Sequence, residues 1–277
     1  MSLSNFRPTI WSRELNWSLK RKLVAMNIVN QDWIGEILNA GDKVKITRAV
    51  GITTGTYTPG SNITVETATS SQLELTIDQF KYFAFSVDSV DEVQANIDLF
   101  EAYTKEADYS RGKDIDEYIF GLYTGAHADN VVTKTTQTSA TIYDKIVDLG
   151  VLLDNKDVDE EGRFLVLDPK RVGMLSKSPE FIAATSLGDG TKRRGFQGSV
   201  AGFDVYKSNS LTTANDGTDD VVHCVFGHPD ALTFGVQHID IRASEMELQF
   251  ADLVKGLTVY GAKMVKSDAF GDFRVID

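Results

Sequence analysis

Gly51-Ile-Thr-Thr-Gly-Thr-Tyr-Thr-Pro-Gly60, between Lys43-Val-Lys-Ile-Thr-Arg-Ala-Val50 and Gln72-Leu-Glu-Leu-Thr-Ile-Asp78, decides the fold. Each flank alternates polar and apolar side chains, which predicts a half-buried strand, and the segment between them is built from turn formers. Nine threonines fall between Asp42 and Ile77, and large apolar groups are too few there to make a core. A lone two-stranded ribbon is marginal in water, so such an arm must lie on something else. The simplest partner is another copy of the chain. The pattern points to assembly before it points to chemistry.

Following the ribbon, Phe80-Lys-Tyr-Phe-Ala-Phe-Ser-Val87 is densely apolar and reads as the chain re-entering a core. Ser89-Val-Asp-Glu92 then reads as a capping box, with acids where the helix dipole favours them. Val93, Ile97, Phe100, Ala107, Ile115, Ile119 and Leu122 keep one stripe over 91–123, which predicts a long helix. At ~1.5 Å per residue it would reach roughly 50 Å, and Gly112 is where it would bend or break. On the other side of the ribbon, Phe6-Arg-Pro-Thr-Ile-Trp11 is extended by its proline, and Trp17, Arg21, Val24 and Ile28 follow at helical spacing.

After a polar, Thr-rich link over 131–139, the chain reads as α/β. Thr141 starts a helix with the stripe Ile142, Ile146, Leu149 and Leu153. An acidic loop, 154–162, leads to a buried strand at Arg163-Phe-Leu-Val-Leu167, which Asp168-Pro169 stops ahead of a short helix; Ser178-Pro179 punctuates that helix or opens the next. Further strands are expected at 203–206, 221–226, 231–236 and 256–265.

The 277 residues, with 42% hydrophobic and 25% charged side chains, are ordinary for a globular protein with a substantial core. No run approaches the ~20 apolar residues of a membrane span, so no membrane partner is expected. Net charge is −12, which argues against tight wrapping of nucleic acid. The charge is uneven: Arg7, Arg13, Lys20, Arg21 and Lys22 against Glu14 give the first 30 residues +4 and leave −16 on the rest. That basic segment reads as a docking arm or as a solvated helical end. Cys224 is the single cysteine, expected in a buried strand; His223 and His228 lack the second spaced ligand pair of a zinc site.

No catalytic, cofactor or metal residue is assigned. The acidic loop misses the calcium-ligand positions of an EF-hand from either Asp154 or Asp157. Gly188-Asp-Gly-Thr-Lys-Arg-Arg-Gly195 departs from both phosphate-binding glycine patterns and reads as a flexible basic loop. Nothing ties Cys224 to a base, and His223, His228 and His238 read as core or interface residues. The chain is therefore expected not to be an enzyme.

The order of these elements, with Phe6–Trp11, Gly41–Ile46, Leu75–Asp78, Phe83–Val87, Gly162–Pro169, Gly202–Asn209, Gly227–Ala231 and Gly256–Lys263, resembles tailed-phage major capsid proteins. It resembles most the podovirus-type coat proteins. The resemblance implies an α+β, Hong Kong 97-type capsid fold. It divides the chain into an N-terminal arm (1–41), an extended loop (42–87), a spine helix with peripheral domain (88–140), an axial domain (141–211), and remaining axial with closing peripheral strands (212–277). It implies a virion protein assembled in the host cytoplasm, forming pentamers and hexamers of an icosahedral shell that encloses double-stranded DNA without reading its sequence. A portal and a separate scaffolding protein are implied partners, the latter because the chain begins at the arm; a decoration protein is a further one. Other readings stay open: an encapsulin-type bacterial compartment shell, another phage structural role, or an enzyme with a site hidden in 141–236.

Overall fold

The computed structural model describes residues 24–31, 43–49, 54–60, 62, 65, 70–88, 99–178, 199–246 and 251–276. Outside them lie the arm up to Leu23, the capping box at Ser89 with the first turns expected after it, residues 51–53 of the turn segment, and the basic loop 188–195.

Among the described residues, three sheets carry the chain. Strands β1 (Lys43–Ala49) and β2 (Ser70–Thr76) form the antiparallel hairpin, with Val44 opposite Leu75 and Ile46 opposite Leu73. Strand β3 (Gln79–Asp88) joins a three-stranded antiparallel sheet ordered β10-β11-β3, where β10 is Leu232–Glu245 and β11 is Ala251–Met264. The largest sheet has seven strands. Its order is β4 (Val131–Thr136), β12 (Phe270–Ile276), β9 (Asp220–Gly227), β5 (Phe164–Leu167), β7 (Phe203–Lys207) and β6 (Ser199–Val200), with β8 (Thr213–Asn215) also on β9.

Helices pack against the two larger sheets. Helix α1 (Leu99–Phe120) runs unbroken through Gly112, which is buried. Helix α2 (Ile142–Asp154) buries Ile142, Ile146, Leu149 and Leu153, the stripe its sequence predicts. Helix α3 (Pro169–Leu175) starts where Asp168 caps it, accepting from the Lys170 backbone N–H at 3.2 Å with proline at the first turn. The main core unites the α2 stripe with Ile115, Ile119 and Phe120 of α1, the four buried residues of β5, and Phe226, Phe234, Tyr260 and Phe273.

Several expectations are corrected. The supposed link at 131–139 contains strand β4, parallel to β12. Val131-Val-Thr-Lys-Thr-Thr136 is β-branched at five of six positions, so it suits a sheet edge despite its polarity. Lys134 ties that edge to the β8–β9 turn through Asp216 at 2.6 Å and Asp219 at 2.9 Å. The strand expected at 231–236 continues to Glu245 past a register shift between Val236 and His238, and its partner starts at Ala251, before Gly256. Strand β12 was not singled out by its sequence.

The helical spacing at Val24 and Ile28 resolves as a single 3-10 turn, Ala25–Asn27. The long helix turns 3-10 at Gly121, and Leu122 beyond it still packs, half-buried, against the main core. Its inner face also carries charge: Asp108, Arg111 and Asp116 are buried beside Ile115 and Ile119. Finally, Phe80–Val87 returns to a core on one face only, where Phe83 and Phe85 pack against Ile241 and Val254. Phe80 and Tyr82, on the other face, are 56% and 82% exposed on a strand that borders its sheet among the described strands.

Candidate assembly surface

The hairpin has one apolar and one polar face. Val44, Ile46, Leu75 and Ile77 cluster with Val259 of β11, rooting the base of the ribbon on the body. On the opposite face, Lys43 meets Glu74 at 2.9 Å, and each holds the other in its charged form. Toward the turn this apolar support ends: Thr54 to Gly60 are exposed, Tyr57 by 62%. The connection to β3 is only Ile77 and Asp78. There the backbone presses on Gly261 of β11, where an added Cβ would stand 2.2 Å from the Thr76 carbonyl oxygen. Only glycine permits that approach.

Strand β3 pairs with β11 along Gln79 to Asp88 and, among the described strands, with nothing on its other side. Alternation sends Phe83 and Phe85 toward α1. Phe83 lies over Gly256, filling the space of its missing side chain at 2.3 Å from the ideal Cβ position. Phe85 meets Tyr103 of α1 with ring centroids 5.7 Å apart. Between strand and helix runs a groove of about 320 Å³, lined by Lys81, Phe83, Phe85, Tyr103, Glu106 and Asp114 among others. Its floor is fixed by Arg111, which donates to Asp108 at 3.0 Å and to Thr258 of β11 at 3.1 Å. Burial lowers the guanidinium pKa while Asp108 opposes that shift. The other flank of α1 holds the start of the described chain: Asp116 accepts from the Ala25 backbone N–H at 3.2 Å, and burial raises its pKa to about 6.

Of the side chains weighed for chemistry, that of His238 lies outside the described ones, and Cys224, His223, His228 and Asp154 have the following surroundings. Cys224 is fully buried on β9, and burial pushes its thiol to about 12, far from a nucleophile's range. His223 is buried, bonded through Nδ1 to Asp272 at 3.0 Å and stacked on Tyr123 at 3.9 Å. His228 caps a short turn by accepting from the Asp230 N–H. In the acidic loop, Asp154 pairs with Arg163 at 2.8 Å, whose guanidinium also donates to the carbonyls of Val158 and Asp159. Among the described residues, no group of three His, Cys, Asp or Glu side chains is placed to hold a metal ion, and no helix is long and apolar enough to cross a membrane.

Comparison with known proteins identifies the class. The model of the phage capsid protein family matches residues 69–261, well over half of the chain. A chain of Mycobacterium phage Che8 superposes with a TM-score of 0.74 at 27% identity, covering 92% of this chain and 90% of that one. The capsid structure of cyanophage P-SCSP1u shares the fold at TM-score 0.70 and 15% identity, over 86% and 85% of the two chains. The mature capsid of bacteriophage PhiM1 gives 0.66 and 16%, over 89% and 87%. No curated protein matches the sequence. The chain belongs to the phage capsid protein family. Its function is that of a bacteriophage major capsid protein, a virion component from which an icosahedral shell is built. A bacterial compartment shell is not favoured, because the family and these neighbours are phage capsids.

Proposed function

We propose that the hairpin β1–β2 is the intersubunit arm of a podovirus-type coat protein and that α1 is the spine to which the other elements attach. The observation that carries this is a ribbon rooted by one small cluster, with a turn exposed beyond it. A ribbon laid on the next copy makes a heterologous contact, which closes into rings when its rotation allows. Rings of five and six then tile the shell. The division follows the sequence: arm 1–41, extended loop 42–87, spine and peripheral domain 88–140, axial domain 141–211, and shared closing strands 212–277.

The acidic body encloses double-stranded DNA without adhering to it, since like charges repel at the wall. The chain performs no catalysis in this role. Assembly takes place in the host cytoplasm with a separate scaffolding protein and a portal, and a decoration protein is accommodated on the outside.

Electron microscopy of the purified chain, with and without a co-expressed scaffold, tests the reading. Shells are expected, and small oligomers under every condition would count against it. Deleting Gly51 to Gly60 should leave the subunit folded, with an unchanged melting temperature, while shells no longer form. Loss of folding would show that the ribbon belongs to the core.

A further inference from the structure

We infer that the strap formed by residues 24–31 and the root of the hairpin are coupled through one buried side chain, Tyr260, so that loosening either contact loosens the other. The coupling belongs to the single subunit and goes beyond the reading of the hairpin as an intersubunit arm. Joined to that reading, it lets the segment that follows the N-terminal arm set the stiffness of the hairpin.

The strap crosses from α1 to the edge of β10. Its Ala25 N–H bonds Asp116 of α1 at 3.2 Å, and Gln31 Nε2 closes the turn on the Met26 carbonyl at 2.8 Å. Ala25, Ile28 and Val29 are buried. Asn30 then bridges β10 in parallel: its N–H donates to the Leu232 carbonyl at 2.8 Å, and its carbonyl accepts from the Phe234 N–H at 3.0 Å. The strap thus holds the Phe234 backbone, and the Phe234 ring lies 6.1 Å from Tyr260 between centroids.

Tyr260 also meets Tyr118 of α1 edge to face, with centroids 5.5 Å apart. The Asp78 carboxylate accepts from the Tyr118 hydroxyl, whose pKa is raised by burial and by that neighbouring charge. Asp78 is one of the two residues that join the hairpin to β3. Tyr260 itself pairs with Gln79, the next residue, and precedes Gly261, on which Thr76 presses. Phe234, Tyr260 and Tyr118 therefore make a contiguous stack from strap to hinge. In the middle of it the Tyr260 hydroxyl is buried without a hydrogen-bond partner among the described residues. An unpaired buried donor is a standing cost, and opening on either side releases it by letting the ring shift toward water. Close packing from both neighbours is what keeps the ring in place. Once one neighbour gives way, the ring follows it and the other loses its backing. That sets the sign of the coupling.

Amide hydrogen exchange on unassembled subunits, read by mass spectrometry, tests the coupling. Tyr260→Phe removes the unpaired hydroxyl and keeps the ring. It should slow exchange at 24–31 and at 70–79 together, by roughly threefold or more, while β5 and β9 keep their wild-type rates. Tyr118→Phe keeps its ring too but frees Asp78. It should speed exchange in the same two segments together and again spare β5 and β9. A change confined to one segment, or running against these directions, overturns the coupling, because strap and hinge then open independently. So does an unchanged pattern in either variant. A change that β5 and β9 share overturns it as well, since Tyr260 would then act only as an ordinary core residue. If Tyr118→Phe fails to fold, Tyr260→Phe alone decides. Shells take no part in these measurements, so their failure leaves the intersubunit reading to the shell experiments.

Discussion

Asp116 shows what one buried carboxylate does to this fold. It is 5% exposed, bonds the Ala25 N–H, and is raised from the ordinary carboxylate value of 3.8 to about 6 because burial penalises its charge. Between those values the folded chain binds a proton that the unfolded chain does not. Stability from this group is therefore fully present below about pH 4 and is lost as pH rises through about 6. At neutral pH the ionised form costs roughly 2–3 kcal/mol, since each tenfold change in proton affinity corresponds to about 1.4 kcal/mol. Asn keeps an acceptor for Ala25 and cannot ionise. Asp116→Asn should raise subunit stability at pH 7.5 by roughly 1–2 kcal/mol, allowing for the buried amide hydrogens. It should also flatten the pH dependence between 4 and 6. Denaturant titrations at the two pH values decide it, and an unchanged slope would mean that Asp116 is not the titrating group.

Among the elements, the junction of hairpin and sheet is the most exacting. At Gly261 a methyl group would collide with the backbone of Thr76 and Ile77, neither of which is the flexible end of a side chain. Gly261→Ala should cost roughly 1–3 kcal/mol by overpacking and should loosen the root of the hairpin before the seven-stranded sheet. Thermal melts give the cost, and hydrogen exchange should show β2 released while β5 and β9 stay protected. This constraint was illegible in the sequence, where Gly261 is one glycine among 22. The hairpin itself was legible because alternation sets strand and register together. The α2 stripe was legible through its 3.6-residue period. Strand β4 was not, since threonine marks loops and edge strands alike. The aromatic run at 80–87 misled for a related reason: its composition suits a core, and only the sheet order reveals it as an edge. Hydrophobicity alone cannot separate a side chain buried by its own chain from one reserved for a neighbour. The candidate assembly surface was thus half readable: the ribbon showed in the sequence, and the exposed edge of β3 did not.

For the whole molecule, charge sets the conditions of assembly. Each subunit carries −12, and shell formation brings many copies within a few ångströms of one another. The Debye length falls from about 30 Å at 0.01 M salt to about 8 Å at 0.15 M, so repulsion between acidic bodies is felt at low salt and largely screened at the higher value. Assembly by the intact chain should therefore speed up over that range. Residues 1–23 carry the opposite sign, with Arg7, Arg13, Lys20, Arg21 and Lys22 against Glu14. Removing residues 2–23 takes away that +4 and leaves −16 per subunit. If the arm acts through charge, the truncated chain should assemble more slowly at 0.01 M and recover toward the intact rate at 0.15 M, followed by light scattering. If it acts through aromatic anchors such as Trp11 and Trp17, salt should not restore the rate, because apolar contacts are not screened. Light scattering of Trp11→Ala/Trp17→Ala, which keeps every charge, then completes the comparison: a wild-type rate at both salts assigns the arm's role to its charge, and a salt-independent deficit assigns it to its rings.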